Sequence, residues 1–192
     1  ALSLIRKIPE ADSEMKKNIW KKVTGNLVLN KTLGVIGLGR IGKKVSELFK
    51  AIGLNIIAFD LNPDIEWAKN NEVELLNFDE VISNSDILTL HVPGNDAQPL
   101  ITKKDFIKMK KESFLINISR GGVVDESDLY FALKNNLISG AAVDVFQNEP
   151  YNGNLSSLDN IILTPHIGSY AMEGKLQMEI AAVNNLLKYL EK

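Results

Sequence analysis

Cysteine is absent from the 192 residues and histidine occurs only twice. Without thiols there are no disulfides, no thiolate nucleophile and no cysteine-based zinc site, a composition compatible with a reducing cytoplasm; no metal site is expected. No apolar run reaches the roughly 18 residues needed to span a bilayer, and the first residues lack the basic start and long apolar core of a signal peptide. Charge of one sign is also lacking: 22 Lys and Arg stand against 24 Asp and Glu, a net charge of −2. That leaves no electrostatic reason to expect nucleic acid or an anionic membrane as partner. In the densest basic stretch, 103–111, Phe106, Ile107 and Met109 interleave with the lysines, so it reads as a solvated helix face rather than a nucleic-acid surface. No repeat, low-complexity tract or internal linker interrupts the chain. It opens on Ala1 rather than Met, and a piece of a longer polypeptide is the expectation.

What is present fits one compact domain, with 45% hydrophobic and 24% charged residues. The most informative segment is Thr32-Leu-Gly-Val-Ile-Gly-Leu-Gly-Arg-Ile-Gly42, in which Gly37, Gly39 and Gly42 form a Gly-x-Gly-x-x-Gly element. Glycines at the first two places let a strand turn sharply and bring backbone N–H groups against a pyrophosphate. The third lets the following helix pack close to the strand, with the phosphates at its N-terminus. Any tight strand-to-helix turn can carry such a pattern, so the flanks decide. Thr32 to Ile36 is a short β-branched run, and Ile41, Val45, Leu48, Phe49 and Ile52 form one apolar helical stripe. Gly53 stands as a C-terminal cap, and the run from Asn55 to Phe59 reads as a second strand ending in Asp60.

This βαβ unit puts an acid where a ribose lies. A carboxylate there accepts both hydroxyls of an adenosine ribose and repels the extra phosphate of NADP, so NAD is the expected cofactor. No Arg or Lys occurs between Asp60 and Lys69 to support the phosphate alternative. The competing role for Asp60 is to cap the next segment, since Asn62-Pro63-Asp64 has the form of a turn and helix start.

Strands and helices keep alternating further on, predicting an α/β, doubly wound Rossmann parallel sheet with helices on both faces. Expected strands are 87–91, 114–117, 140–144 and 161–163. Expected helices are 64–70, 78–83, 103–109, 126–135, with Asp125 as N-cap, and 170–190. Residues 1 to 24 carry Leu2, Leu4, Ile5, Ile8, Met15 and Trp20 among many lysines. They read as a helix and arm outside a minimal sheet, lying either on their own domain or on a partner subunit.

Three ionisable types occur at three strand exits, where open α/β sheets bind ligands. Arg120 precedes Gly121-Gly122, Asp144 is followed by Glu149-Pro150, and His166 follows Thr164-Pro165. Each alone has a bland reading, as a loop staple, a turn cap or a structural histidine. Taken with Gly-Leu-Gly-Arg-Ile-Gly, the segments Asn117-Ile-Ser-Arg-Gly-Gly-Val-Val-Asp125, Asp144-Val-Phe-Gln-Asn-Glu-Pro150 and Thr164-Pro-His-Ile-Gly168 resemble, in order, the signatures of the D-isomer-specific 2-hydroxyacid dehydrogenases. The similarity runs from about Ile5 to the C-terminus. The stretch from His166 to Ala171, with Glu173 and Met178 beyond, is most similar to phosphoglycerate dehydrogenase-like members.

The resemblance implies hydride transfer between NAD(H) and a D-2-hydroxy acid or 2-oxo acid, with 3-phosphoglycerate among the candidates. Arg120 would hold the substrate, His166 would act as general acid/base and Glu149 would orient it. The cofactor would touch Gly37, Gly39, Arg40, Ile41, Gly42, Asp60, His91, Pro93, Ile118, Ser119, Asp144, His166 and Gly168, with Asp144 at the nicotinamide carboxamide. Residues 94–99 depart from the family pattern, being shorter and without its threonines.

By the same resemblance, residues 25–192 correspond to the NAD-binding domain and 1–24 to an interdomain helix and dimerisation arm of a homodimer. The substrate domain is absent from this chain, which alone is expected to bind NAD and turn over poorly. Two other classes compete. A non-enzymatic NAD(H)-sensing corepressor would keep the same three side chains, but no added tail or interaction segment is present. An S-adenosylmethionine or flavin domain would account for Asp60 yet leave Arg120, Glu149 and His166 idle.

Overall fold

The computed structural model describes residues 1–94 and 98–190. Two short helices, α1 (Leu2–Ile5) and α2 (Ile8–Lys16), precede the first unit, β1 (Thr32–Ile36), α3 (Arg40–Ala51) and β2 (Asn55–Phe59). Then come α4 (Ile65–Asn70), β3 (Glu74–Leu75), α5 (Phe78–Asn84), β4 (Ile87–Leu90), α6 (Lys103–Lys108) and β5 (Phe114–Asn117). The chain continues through α7 (Glu126–Lys134), β6 (Gly140–Val143), a 3₁₀ turn over Asn154–Ser157, β7 (Ile161–Leu163) and α8 (Met172–Leu190). All seven strands are parallel, in the order β3-β2-β1-β4-β5-β6-β7. The order reverses between β1 and β4, the crevice in which such sheets hold ligands.

Alternation along the strands divides the interior into two cores, one on each face. Leu33, Val35, Ile56, Ala58, Ile87, Phe114 and Ile116 belong to one, and Ile36, Ile57, Leu88, Leu90 and Leu115 to the other. Because both faces are covered, the central strands are near-continuous apolar runs. Each fully buried Leu or Ile contributes roughly 1.5–3 kcal/mol of transfer free energy.

The doubly wound sheet, its strands and the long helices agree with the sequence reading to within one or two residues. Asp64 and Asp125 cap α4 and α7, accepting from Trp67 N and Asp128 N, and Gly53 follows α3 at φ +93°. One expectation is corrected. The apolar positions of α3 do not form a single buried stripe: Ile41, Leu48 and Ile52 are exposed, Val45 and Phe49 are half-buried, and the buried face is Gly42 with Ser46. The small side chains seat α3 close to β1, with the Ser46 hydroxyl donating to the Gly42 carbonyl at 2.8 Å, so the bulkier positions fall to either side. The two-residue β3 and the 3₁₀ turn had no signal in the sequence, being too short to show a period.

The N-terminal segment divides. Leu4 and Ile5 are buried beside Phe114 and Ile87 in the core, and Asn26 N donates to the Ile5 carbonyl at 3.0 Å. By contrast α2 has no buried residue and Trp20 is 83% exposed. Helix α8 likewise buries nothing.

Candidate active site

The glycine turn is built by close approach. Gly37 leaves β1 at φ +92°, and a Cβ there would strike the His91 carbonyl. A Cβ on Gly42 would overlap the Gly37 carbonyl, so only glycine lets α3 start against the turn. Gly39 is its N-cap, and no side chain caps the helix. The amides of Arg40 and Ile41 therefore open the helix as donors for an anion, reinforced by the helix dipole.

Asp60, at the exit of β2, ties this turn to the neighbouring strand. Its Oδ2 accepts from Leu38 N at 2.6 Å and its Oδ1 from Asn62 N at 2.8 Å. Asp60 does not cap the following helix; Asp64 does, while also pairing with Lys43 at 2.6 Å. Among the described residues no cation pairs with Asp60. An acid held beside uncapped helix donors fits a dinucleotide with an unphosphorylated ribose.

Across the switch point, His91 follows β4 with its Nε2 3.0 Å from Thr89 Oγ1, and burial pushes its imidazole down to about 4. Pro93 beside it is exposed. Of the departing 94–99 loop, residues 95–97 lie outside the described residues.

The exits of β5, β6 and β7 carry the side-chain chemistry. Asn117 ends β5, only 2% exposed, and its side-chain oxygen accepts from Ser119 N and Oγ at 3.2 and 2.9 Å. Its Nδ2 donates to the Arg120 carbonyl at 3.1 Å. This knot leaves Ile118 and Arg120 exposed and Ser119 buried. Arg120 donates from Nη1 to the Ser119 carbonyl at 2.7 Å, and among the described residues it forms no ion pair. The next residue, Gly121, lies so close to the Phe146 carbonyl that a Cβ would overlap it, which brings the loop after β5 against the loop after β6.

Glu149 and His166 meet directly, with Glu149 Oε2 2.9 Å from His166 Nδ1. Glu149 Oε1 accepts from Phe146 N at 2.9 Å. The histidine beside it, then that amide, hold the Glu149 carboxyl below the usual carboxylate range. With Nδ1–H donated to the carboxylate, Nε2 is the nitrogen left to exchange a proton. His166 has φ +53°. Asp144, 5% exposed, accepts from Thr164 Oγ1 at 2.5 Å, Ile167 N at 2.9 Å and Gly168 N at 2.8 Å.

Glu149 and His166 are thus brought together, Asp144 joins the His166 loop, and Arg120 stands at the neighbouring exit without a bond to either. Asn117 and Thr164 were not among the expected site residues. Their one signal is position, a small polar side chain at the end of an apolar strand run, where it competes for backbone groups. Among the described residues no cluster of three or more His, Asp or Glu could hold a metal, and no helix is long and apolar enough to cross a membrane.

Residues 1–168 match the family described as D-isomer specific 2-hydroxyacid dehydrogenase, NAD binding domain. The D-3-phosphoglycerate dehydrogenase of Archaeoglobus fulgidus is 39% identical over 191 residues, which cover 97% of this chain and 36% of that protein. The glyoxylate reductase of Thermofilum pendens is 37% identical over 201 residues, covering 99% and 59%. A crystal structure of the D-isomer specific 2-hydroxyacid dehydrogenase from Lactobacillus delbrueckii ssp. bulgaricus in its NAD complexed form superposes with a TM-score of 0.88 at 29% identity, covering 100% of this chain and 64% of that one. The chain therefore spans about a third of the phosphoglycerate dehydrogenase and about three-fifths of the glyoxylate reductase. A profile match over seven-eighths of its length, on a sheet whose turn and acid fit the dinucleotide, establishes that the chain belongs to the D-isomer-specific 2-hydroxyacid dehydrogenase family as its NAD-binding domain.

Proposed function

We propose that this chain works within an NAD-dependent dehydrogenase that interconverts a D-2-hydroxy acid and its 2-oxo acid, with 3-phosphoglycerate as the first substrate to try. The observation that carries this is the 2.9 Å contact between Glu149 and His166, one strand exit from Arg120. Bound NAD supplies the nicotinamide that accepts or returns the hydride. Gly37, Gly39, Arg40, Ile41 and Gly42 hold its pyrophosphate, Asp60 its adenosine ribose, and His91, Pro93, Ile118, Ser119, Asp144 and Gly168 line the remainder.

Arg120 engages the substrate carboxylate and carbonyl oxygen through charge-assisted bonds and favours the negative charge that develops on that oxygen during reduction. His166 gives or takes the hydroxyl proton through Nε2, and Glu149 fixes the tautomer that makes Nε2 available. Residues 1–24 act as interdomain helix and dimerisation arm of a cytoplasmic homodimer. Within the arm Ile8, Met15 and Trp20, exposed by 52, 49 and 83%, are apolar side chains suited to a second subunit. Specificity for one acid and water exclusion come from a further domain, so the 192 residues alone bind NAD and turn over poorly.

Calorimetric titration of the 192-residue chain with NAD and NADP tests the cofactor half; equal affinities would overturn the role given to Asp60. Steady-state assays of the full-length polypeptide with NADH and a panel of 2-oxo acids test the chemistry. Absence of turnover on every acid, with NADH bound, would overturn it.

A further inference from the structure

We propose that Thr164 and Asp144 are positioning residues for His166, clamping the turn 164–168 so that the imidazole is delivered to Glu149. The clamp deepens the dehydrogenase reading above and rests on it for its catalytic consequence, though not for its geometry.

His166 occupies left-handed backbone, φ +53°. A residue with a Cβ avoids that region because the Cβ crowds the following carbonyl, and it stays there only where its surroundings over-determine it. The surroundings here are bonds that bracket the histidine. Two residues before it, the Thr164 hydroxyl donates to Asp144 Oδ1 at 2.5 Å. One and two residues after it, Ile167 N donates to Oδ1 at 2.9 Å and Gly168 N to Oδ2 at 2.8 Å. The His166 amide donates to the Thr164 carbonyl at 3.0 Å, which closes the turn from inside.

Asp144 is a fixed post for these bonds. It is 5% exposed, it directly follows β6, and its amide donates to the Asn117 carbonyl at 3.0 Å. Thr164 is pinned on the other side, its amide donating to the Val143 carbonyl at 3.0 Å. Burial pushes the Asp144 carboxyl up, but the Thr164 hydroxyl and the two loop amides more than offset it, leaving the group below the ordinary carboxylate range. An ionised carboxylate has about four acceptor sites, and the loop takes three. One acceptor site remains, so the clamp is compatible with a ligand amide on the same side chain.

The two histidines make the test direct, because the imidazole nitrogen signals of the 192-residue chain come from His91 and His166 alone. In the unmodified chain His166 is expected in the Nδ1–H tautomer, held by Glu149. Thr164→Val keeps the β-branched shape at a half-buried position and removes the donor. His166 is then expected to lose the Nδ1–H predominance and move to the tautomer mixture of a free imidazole, while His91 signals stay in place. Asp144→Asn should act in the same direction, since its amide cannot accept from Gly168 N. Thr164→Ser should restore the original spectrum.

Retention of the Nδ1–H tautomer in Thr164→Val, or in Asp144→Asn, with His91 unmoved would overturn the clamp. So would a Thr164→Ser spectrum that matches Thr164→Val. Calorimetric titration of the same samples with NAD keeps the two ideas apart: an unmodified chain that fails to bind NAD sinks the dehydrogenase reading and leaves the tautomer result standing.

Discussion

The two halves of the sheet equip their strand exits by opposite means. From β1 to β2 the exits offer main-chain groups: the uncapped amides at the start of α3, glycines packed where no Cβ fits, and a single side chain, Asp60, that itself binds the turn. From β5 to β7 the exits offer side chains: Asp144, Glu149 and His166, tied together by hydrogen bonds that cross between loops, and Arg120, held within its own loop. A backbone-built site tolerates most changes of side chain and fails when bulk is added. A side-chain-built site fails when one group is removed.

The sharpest way to break this comparison is to remove one group from the second half. His166→Ala in the full-length polypeptide is expected to lower turnover roughly 10²–10⁴-fold, the worth of a positioned proton donor, with NAD affinity nearly unchanged. Stopped-flow hydride transfer with a 2-oxo acid measures it, and turnover within threefold of the parent would remove His166 from the chemistry. Adding bulk to the first half is the mirror experiment. A methyl on Gly42 has to displace the Gly37 carbonyl, an overpacking that costs about 1–3 kcal/mol. Gly42→Ala should therefore lower both the urea midpoint and NAD affinity, whereas alanine at exposed Arg40 should leave the fold stable.

His91 sits between the halves, at the exit of β4, and gives a prediction in pH. Burial holds its folded-state pKa at about 4, below the ordinary histidine value of 6.5, so the folded chain refuses a proton that the unfolded chain accepts. Above about pH 6.5 both forms are neutral and nothing is lost. As pH falls from there towards 4, the unfolded state gains protons and stability drops, by at most about 3 kcal/mol at 1.36 kcal/mol per unit. Urea denaturation at pH 7.5 and 4.5 reads the drop, and His91→Gln should flatten it. The lowered carboxyls of Asp144 and Glu149 add a further loss only below the ordinary carboxylate range.

The same division decides what could be read before any fold was in view. The β1–α3–β2 unit was legible because its strands are β-branched runs and its glycines are local in sequence, and Asp60 follows within the same unit. The inward face of α3 was not, because the apolar spacing marks a stripe while the seat of the helix is set by Gly42 and Ser46 against β1. For Leu4 and Ile5 the sequence leaves their own domain and a partner both open, and they reach the core beside Phe114, a choice that periodicity does not make because the packing spans more than a hundred residues. Arg120, Glu149 and His166 are legible as ionisable residues just past apolar strand runs, while their separate roles follow only from the family resemblance. The bonds of Asn117 and Thr164 depend on a loop conformation that sequence spacing does not specify.

Asp60 supplies the smallest test and the one that refines the contrast most, being the only side chain in the first half with a proposed ligand role. Asp60→Asn keeps the shape, and its carbonyl oxygen can still accept from Asn62 N, but the amide nitrogen that replaces Oδ2 cannot accept from Leu38 N. Exchanging a charged acceptor for a neutral one costs about 1 kcal/mol per bond, so NAD affinity should fall about tenfold, and the Leu38 amide left without its acceptor should lower stability by about 1–3 kcal/mol. NADP affinity should hold or rise, because the carboxylate that repels its ribose phosphate is gone. Calorimetry with both nucleotides on the same protein gives the ratio. If the NAD to NADP preference survives the substitution intact, discrimination lies in the backbone of the turn, and the first half uses no side chain for recognition at all.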